Sequence, residues 1–302
     1  MRVLLFFTII YFMSPAYLFG QDDLEKLLQE NSSPKKQYVY SSFKGTRLIG
    51  LHTVETLGKG SLDFRISHRF GDFSSGAYNF FGLDGPANIR LGFDYSVTDN
   101  FTVGIGRSSL DKMFDSFLKY RLLRQTTDNA MPVTLTLLAS GNVIGLKNGS
   151  QALDGITQFD YFSDRLVYMF QAMVARKFTE RLTVQLSPIF IHYNLVLNTT
   201  DKNDMYAFAF SGRYKFSKRI ALTAEYIARV GKYSLGQSLY HNSASVGIDI
   251  ETGGHVFQLF VANSQAINEV QFIPYTNSSW GKGQVRFGFN ISRVFATRRR
   301  KE

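Results

Sequence analysis

From residue 61 onward, apolar and polar side chains alternate with a period of two, the pattern of a β-strand with two different faces. In the first such stretch Leu62, Phe64 and Ile66 alternate with Asp63 and Arg65. The alternation recurs in twelve stretches separated by turn-forming or irregular sequence. The predicted strands are 61–70, 88–97, 101–108, 112–124, 132–141, 164–176, 181–194, 204–216, 219–230, 242–251, 255–263 and 283–295.

The two faces of these strands favour a membrane barrel over a soluble sandwich. One face is aromatic and apolar in nearly every strand, while Arg, Lys, Asp and Glu stand at mid-strand on the other face. Strands of about ten residues with an apolar outer face and a polar inner face are typical of a transmembrane β-barrel. Such a sheet must close, because lipid offers its backbone groups no hydrogen-bond partner.

Short turns alternate with longer loops, as in barrels with short periplasmic turns and longer outer loops. We therefore predict an all-β protein, an antiparallel transmembrane β-barrel of about twelve strands over 61–295, in the outer membrane of a gram-negative bacterium. An even number of strands places both termini in the periplasm. Residues 37–57 leave three alternatives open: a hairpin that makes fourteen strands, a plug inside the barrel, or a segment at its periplasmic rim.

The segments that flank the barrel predict export. Residues 1–20 combine a basic start, a short apolar core and a small residue before Gln21, which indicates a secretory signal peptide. That apolar core is too short for a membrane-spanning helix. Residues 21–60 are predicted to form a periplasmic helix, at 22–30, followed by the rim or plug segment. Residues 296–302 are predicted to be a basic periplasmic tail.

Several short stretches resemble a family of uncharacterised gram-negative outer-membrane β-barrels, catalogued as a domain of unknown function. They are LDFRISHRFG (62–71), GLDG (82–85), IRLG (89–92), VGIGRS (103–108), KYRLLRQ (119–125) and FGFNISR (287–293). The resemblance covers roughly 40–295 and implies the barrel fold. It implies no activity, catalytic residue or substrate, because the family has none assigned.

The formal net charge of the chain is +10, and the strand pattern places much of the charge inside the barrel. The basic positions predicted to line the lumen are Arg65, Arg69, Arg90, Lys119, Arg121, Arg213, Lys215, Arg229 and Arg286, and the acidic ones are Asp63, Asp94, Asp115, Glu225 and Asp249. A net basic lumen favours an anion-preferring channel, because Arg and Lys lower the electrostatic barrier for anions. The alternative is an interior sealed by cross-strand pairs, such as a ladder that joins Arg65 and Arg90 to Asp63 and Asp94.

The sequence does not indicate catalysis. Cysteine is absent, which excludes thiolate chemistry, and no G-x-S-x-G motif occurs. The histidines have no suitably placed nucleophile, carboxylate or further metal ligand; they are His52, His68, His192, His241 and His255. We therefore predict no enzyme activity, no metal and no cofactor.

The remaining expectations concern function and partners. The predicted function is porin-like passive passage of small anionic or neutral solutes. The alternative is a non-conducting barrel that anchors or docks a periplasmic or surface protein. Aromatic outer loops offer ligand candidates at Asp84, Tyr275 and Trp280. The predicted partners are outer-membrane lipids, the outer-membrane assembly machinery, which would read the terminal strand ending at Phe295, and small solutes. Nucleic acid is excluded, because the bases are spread through the strands.

Overall fold

The computed structural model describes residues 37–231, 239–252 and 254–296. The chain divides into two units, Met1–Tyr38 and Val39–Glu302, and the barrel with all its inserts belongs to the second. The predicted signal peptide, the predicted helix at 22–30 and the basic tail beyond Ala296 lie outside the described residues.

Twelve strands form one closed antiparallel barrel, in which each strand pairs with its neighbours in sequence and the last pairs with the first. This confirms the predicted fold class and strand number. The strands are β1 (Ser61–Arg69), β2 (Asn88–Thr98), β3 (Phe101–Ser108), β4 (Phe114–Leu123), β5 (Thr134–Val143), β6 (Leu166–Lys177), β7 (Leu182–Tyr193), β8 (Asp204–Lys215), β9 (Ile220–Val230), β10 (Ser243–Thr252), β11 (His255–Ala262) and β12 (Arg286–Ala296).

The barrel has two unlike ends. At the turn end, β2–β3 and β10–β11 are joined by two residues each, and β6–β7 and β8–β9 by four. The opposite, loop end carries the connections 70–87, 109–113, 144–165, 194–203, 231–242 and 263–285. No helix among the described residues is long and apolar enough to cross a membrane.

The outward faces are apolar, as the period of two predicts. Outward side chains such as Phe93, Phe170 and Phe208 are exposed, while their neighbours along each strand point inward and are buried. This pattern suits a wall with lipid outside and a filled interior inside.

Residues 37–57 add no strands, so the fourteen-strand alternative is wrong. Within residues 39–57, the bridge pairing is that of Arg47 with His52. Residues 41–55, called the inner segment below, lie inside the barrel in irregular conformation. One described helix was also missed by the sequence analysis: α1 (Glu269–Tyr275), in the β11–β12 loop. It has only seven residues and contains Pro274, so its sequence resembles that of a loop.

Candidate functional site: the filled barrel interior

The structure places every side chain predicted to line the lumen on an inward-facing position. Those near mid-height are almost fully shielded: Arg65 is 3% exposed, Arg90 2% and Lys119 0%. Inward charges in an open channel would contact channel water. The interior in this structure is therefore filled, and the role of these residues in lining a solute path stays a prediction.

The charged side chains of the wall pair differently from the predicted ladder. Arg90 on β2 forms its ion pair with Asp115 on β4, at Nε–Oδ1 3.0 Å and Nη2–Oδ2 2.5 Å, and so reaches across β3. Gly106 on β3 makes this possible, because an added Cβ there would lie 2.2 Å from Nη2 of Arg90. Asp94 does not pair with arginine; its Oδ2 accepts from Thr46 Oγ1 at 3.0 Å. Arg65 approaches Asp63 of its own strand at 3.5 Å.

A second cluster lies closer to the turn end. Arg213 contacts Asp249 at 3.3 Å and also pairs with Glu251, two residues further along β10. Glu251 accepts a second cation from Lys44, at 3.3 Å. The sequence analysis missed Glu251 as an inward acid, although simple continuation of the alternation past Asp249 would have found it.

The inner segment enters from the turn end. Thr56 and Lys59 hydrogen-bond to Asp99 in the β2–β3 turn, so the chain leaves the interior beside the start of β1. Inside, Leu51, Thr53 and Val54 are completely or almost completely buried. Backbone groups at such positions need partners, and the wall supplies many of them through side chains.

Glu225 on β9 is the centre of this attachment. Its carboxylate accepts three successive backbone N–H groups: Ile49 at 2.8 Å, Gly50 at 3.0 Å and Leu51 at 3.1 Å. Asn290 on β12 donates to the carbonyl of Ile49 at 2.9 Å. Hydrogen bonds to a buried charged acceptor are stronger than neutral ones, so this short turn of the inner segment is tightly held.

Neighbouring wall residues hold the rest of the inner segment. Lys119 Nζ donates to the carbonyl of Thr46 at 3.1 Å. Gln185 accepts from the Val54 N–H at 2.9 Å and donates to the carbonyl of His52 at 2.8 Å. Thr136 donates to the Val54 carbonyl at 2.8 Å. The inner segment is thus bound by side chains of several strands and joins none of them as a strand.

The β11–β12 loop folds into the barrel from the opposite end and meets the inner segment. Glu269, at the start of α1, accepts from Arg47 Nη1 at 2.7 Å, and both side chains are buried. Phe272 packs so close to Gly50 that a Cβ there would lie 3.1 Å from its ring. The two inserts therefore close the lumen together.

One part of the interior is apolar, contrary to the sequence-based expectation. Inward residues of β6 and of the loop-end halves of β7 to β9, among them Met173, Ile191 and Met205, form a continuous core with Leu51 and Val270 of the two inserts. The expectation of a uniformly polar lumen face is therefore wrong for this part of the wall. The signal was present in the sequence, because β6 and the loop-end half of β7 are mostly apolar on both faces, as strands buried on both sides are.

Carboxylate side chains connect the loops at the loop end of the barrel. Gln271 on α1 donates to Asp111 Oδ2 at 2.7 Å, and Asp111 Oδ1 accepts from the N–H of Leu153 in the β5–β6 loop. Burial raises the pKa of Asp111. Burial also raises the pKa of Asp154 to about 6, and the nearby Asp111 charge adds to the rise.

The three loop ligand candidates lie in different surroundings. Tyr275, at the end of α1, packs edge-on against Tyr193 and Tyr240. Trp280 is 42% exposed and donates to the Ala244 carbonyl. Asp84 is exposed in the β1–β2 loop. No contact that joins these three side chains occurs in the described part of the chain, and no cluster of metal-ligating side chains occurs there.

Comparisons with known proteins agree with the barrel. A family model described as "Membrane bound beta barrel domain (DUF5777)" matches residues 43–295. No curated protein matches the chain significantly.

Among solved structures, the "KdgM porin" matches with 12% identity over 78% of this chain and 99% of its own, at a TM-score of 0.47. The "NanC porin" matches with 9% identity over 77% and 98%, at 0.46. The "COG4313 outer membrane channel from Pseudomonas putida F1" matches with 14% identity over 80% and 98%, at 0.48. At this level the likeness carries no argument about what the present barrel transports.

Proposed function

Because the chain belongs to the family of membrane-bound β-barrel domains whose model spans residues 43–295, we propose that it is a porin-like barrel of the outer membrane, closed by its inner segment. In this proposal small solutes pass only after the inner segment leaves its binding site inside the barrel, called the seat below. In this proposal the short turns and both chain termini face the periplasm, as is usual for one-chain bacterial barrels with an even number of strands.

The observation that carries the proposal is the independence of wall and inner segment. All twelve strands pair with each other in a closed ring, and the inner segment contributes no strand to it. The segment can therefore be withdrawn without breaking a strand pair of the wall. A strand built into the sheet could not move in this way, because its loss would leave two edges in lipid.

The wall behind the inner segment suits anions. Its inward strand positions carry ten bases, the nine predicted ones and Lys177, against six acids, the five predicted ones and Glu251. Among the fully buried bases, Arg69 and Lys119 have no carboxylate within 4.0 Å in the described part of the chain. Arg69 donates to Ser264 and Lys119 to the Thr46 carbonyl. These two charges would face the opened lumen and lower the barrier for anions.

Single-channel recording in a planar bilayer under a salt gradient tests the proposal. We expect the natural protein to be quiet for most of the time and a variant with a loosened inner segment, Glu225→Ala, to show frequent conducting steps with an anion-selective reversal potential. Adding Lys119→Glu to that variant should shift the reversal potential toward cations. Conducting steps without anion preference would refute the proposal that the open lumen prefers anions. The proposal that the inner segment closes the barrel would stand.

A second candidate is a permanently sealed barrel that serves as an anchor or docking platform. It is favoured by the apolar core that Leu51 and Val54 share with Met173 and Ile191, because opening exposes that core to water. Silence of correctly folded Glu225→Ala, with its inner segment shown to be released, would select this second candidate.

A further inference from the structure

The lipid-facing wall has a groove near the loop end. It spans β2 to β5 and encloses about 500 Å³. Its floor contains Ser116 and Gly141, which face outward and are paired across β4 and β5. Larger apolar side chains, Phe93, Ile105 and Phe114, surround it. A groove of this size and lining suits a hydrocarbon chain.

Arg107 stands at the edge of the groove toward the loop end. It is the next-to-last residue of β3, is exposed on the outward face, and lies over the Phe114 ring at 5.1 Å. Among outward positions of the described strands, arginine or lysine otherwise occurs at Arg176 and Arg293, both near the turn end. Arg107 is thus the one such cation that the described strands present to the leaflet at the loop end.

The charge of Arg107 has no counterpart in the protein. Its side chain makes no ion pair or hydrogen bond among the described residues, and the outward positions of β2 to β5 carry no carboxylate. A guanidinium offers five N–H donors in a planar fork that matches phosphate oxygens. An uncompensated cation above an apolar groove is complementary to a lipid with an acidic phosphate and a hydrocarbon chain.

A second groove of similar size, about 500 Å³, lies elsewhere on the outer wall and provides an internal comparison. It is lined by apolar residues that include Leu222, Val246, Leu259 and Phe289, and no charged side chain lines it. Inward glycines line both grooves, Gly106 in the first and Gly247 and Gly288 in the second, so the cation is what distinguishes the first groove.

We propose that the groove between β2 and β5 holds one acyl chain of a phosphate-bearing lipid of the leaflet at the loop end, with a lipid phosphate bound by Arg107. The site is independent of whether the lumen conducts. One lipid therefore binds to each barrel at this site, whereas the other lipids around the barrel exchange freely.

Native mass spectrometry of the full chain in detergent, titrated with phosphatidylglycerol, tests the proposal. Gly141→Leu fills the groove, because an added Cβ there meets only Ser116 Oγ at 4.0 Å. Gly212→Leu is the matched control: Gly212 also faces outward, on β8, and a Cβ there meets nothing within 4 Å. Arg107→Gln removes the charge and keeps a polar side chain that can still donate a hydrogen bond.

We expect one tightly retained phosphatidylglycerol on the natural protein and on Gly212→Leu, and none on Gly141→Leu. Arg107→Gln should bind it about tenfold more weakly, the loss typical of one charge-assisted contact. Unheated gel mobility identifies folded barrels for the comparison. Equal retention by Gly141→Leu and Gly212→Leu overturns the groove. Equal retention of phosphatidylglycerol and diacylglycerol by the natural protein, or an unchanged affinity in Arg107→Gln, overturns the phosphate contact.

Discussion

Glu225→Ala is the most direct test of how the barrel is closed. The change removes the acceptor of the N–H groups of Ile49, Gly50 and Leu51. Each buried donor left without a partner costs about 1–3 kcal/mol. Some of that cost is relieved by local rearrangement, so we expect the seated state to lose about 3–6 kcal/mol overall. At about 1.4 kcal/mol per factor of ten, the released state gains at least a hundredfold in population.

Hydrogen exchange measured by mass spectrometry on residues 41–55 reads this shift directly. Those amides should exchange at least a hundredfold faster in Glu225→Ala, while amides of β6 to β8 keep their rates, because they are hydrogen-bonded within the closed ring of strands. Glu225→Gln keeps one acceptor oxygen, so the exchange rates of residues 41–55 in this variant should lie between those of the natural protein and of Glu225→Ala.

The control is Ser211→Ala. Ser211 is the cross-strand neighbour of Glu225, is equally buried, and its Oγ has no hydrogen-bond partner among the described residues. It should behave like the natural protein. Unchanged exchange of residues 41–55 in folded Glu225→Ala would refute the view that this carboxylate holds the segment.

Three further outcomes follow from the buried charges. Glu269→Gln leaves the Arg47 charge buried and unpaired, so the inner segment should lose about 3–5 kcal/mol of the free energy that holds it inside the barrel. Hydrogen exchange should then rise in the inner segment and in α1 together. Gly106→Ala places a Cβ on the guanidinium that pairs with Asp115; the barrel should unfold at lower urea concentration, whereas Gly141→Ala should unfold like the natural protein. The raised pKa of Asp154 means that the folded loop end binds a proton that the unfolded chain releases, so the stabilising contribution of this group is fully present below about pH 4 and is lost as the pH rises through about 6. Proteolysis of the β5–β6 loop should therefore be slower at pH 5 than at pH 7.5. Asp154→Asn should reduce this difference, and the remainder belongs to Asp111, whose pKa is also raised and which binds the same loop.

The barrel was predictable because alternation along one strand decides which side chains face inward. This local rule assigned Arg65, Lys119 and Glu225 to the interior without knowledge of any contact. It could not assign their partners, because those depend on which side chains leave room. Arg90 reaches Asp115 only across a glycine on the strand between them, and a pattern read strand by strand contains no such relation.

The inner segment was harder to predict for a different reason. Its alternation is compatible with a hairpin, and its seat is built from single side chains on distant strands. Gln185 and Thr136 on the wall satisfy the backbone of Val54, and each is an ordinary inward polar residue in its own strand. The sequence signal for a segment packed inside the barrel is the apolar character of both faces in β6 and in the loop-end half of β7.

The chemistry of the seat also bears on whether the barrel opens. Apolar side chains would fill a permanently sealed interior at a lower free-energy cost than polar ones. Buried charges and amides lose their hydration, and only well-placed partners offset that loss. The wall instead satisfies the inner segment through polar side chains spread around the ring, on β4, β7, β9 and β12: Lys119, Gln185, Glu225 and Asn290. In a water-filled lumen these same groups find partners in water, so the polar contacts suit both the closed and the open barrel. The apolar core suits only the closed barrel, and the balance between polar contacts and apolar core sets how often the inner segment leaves.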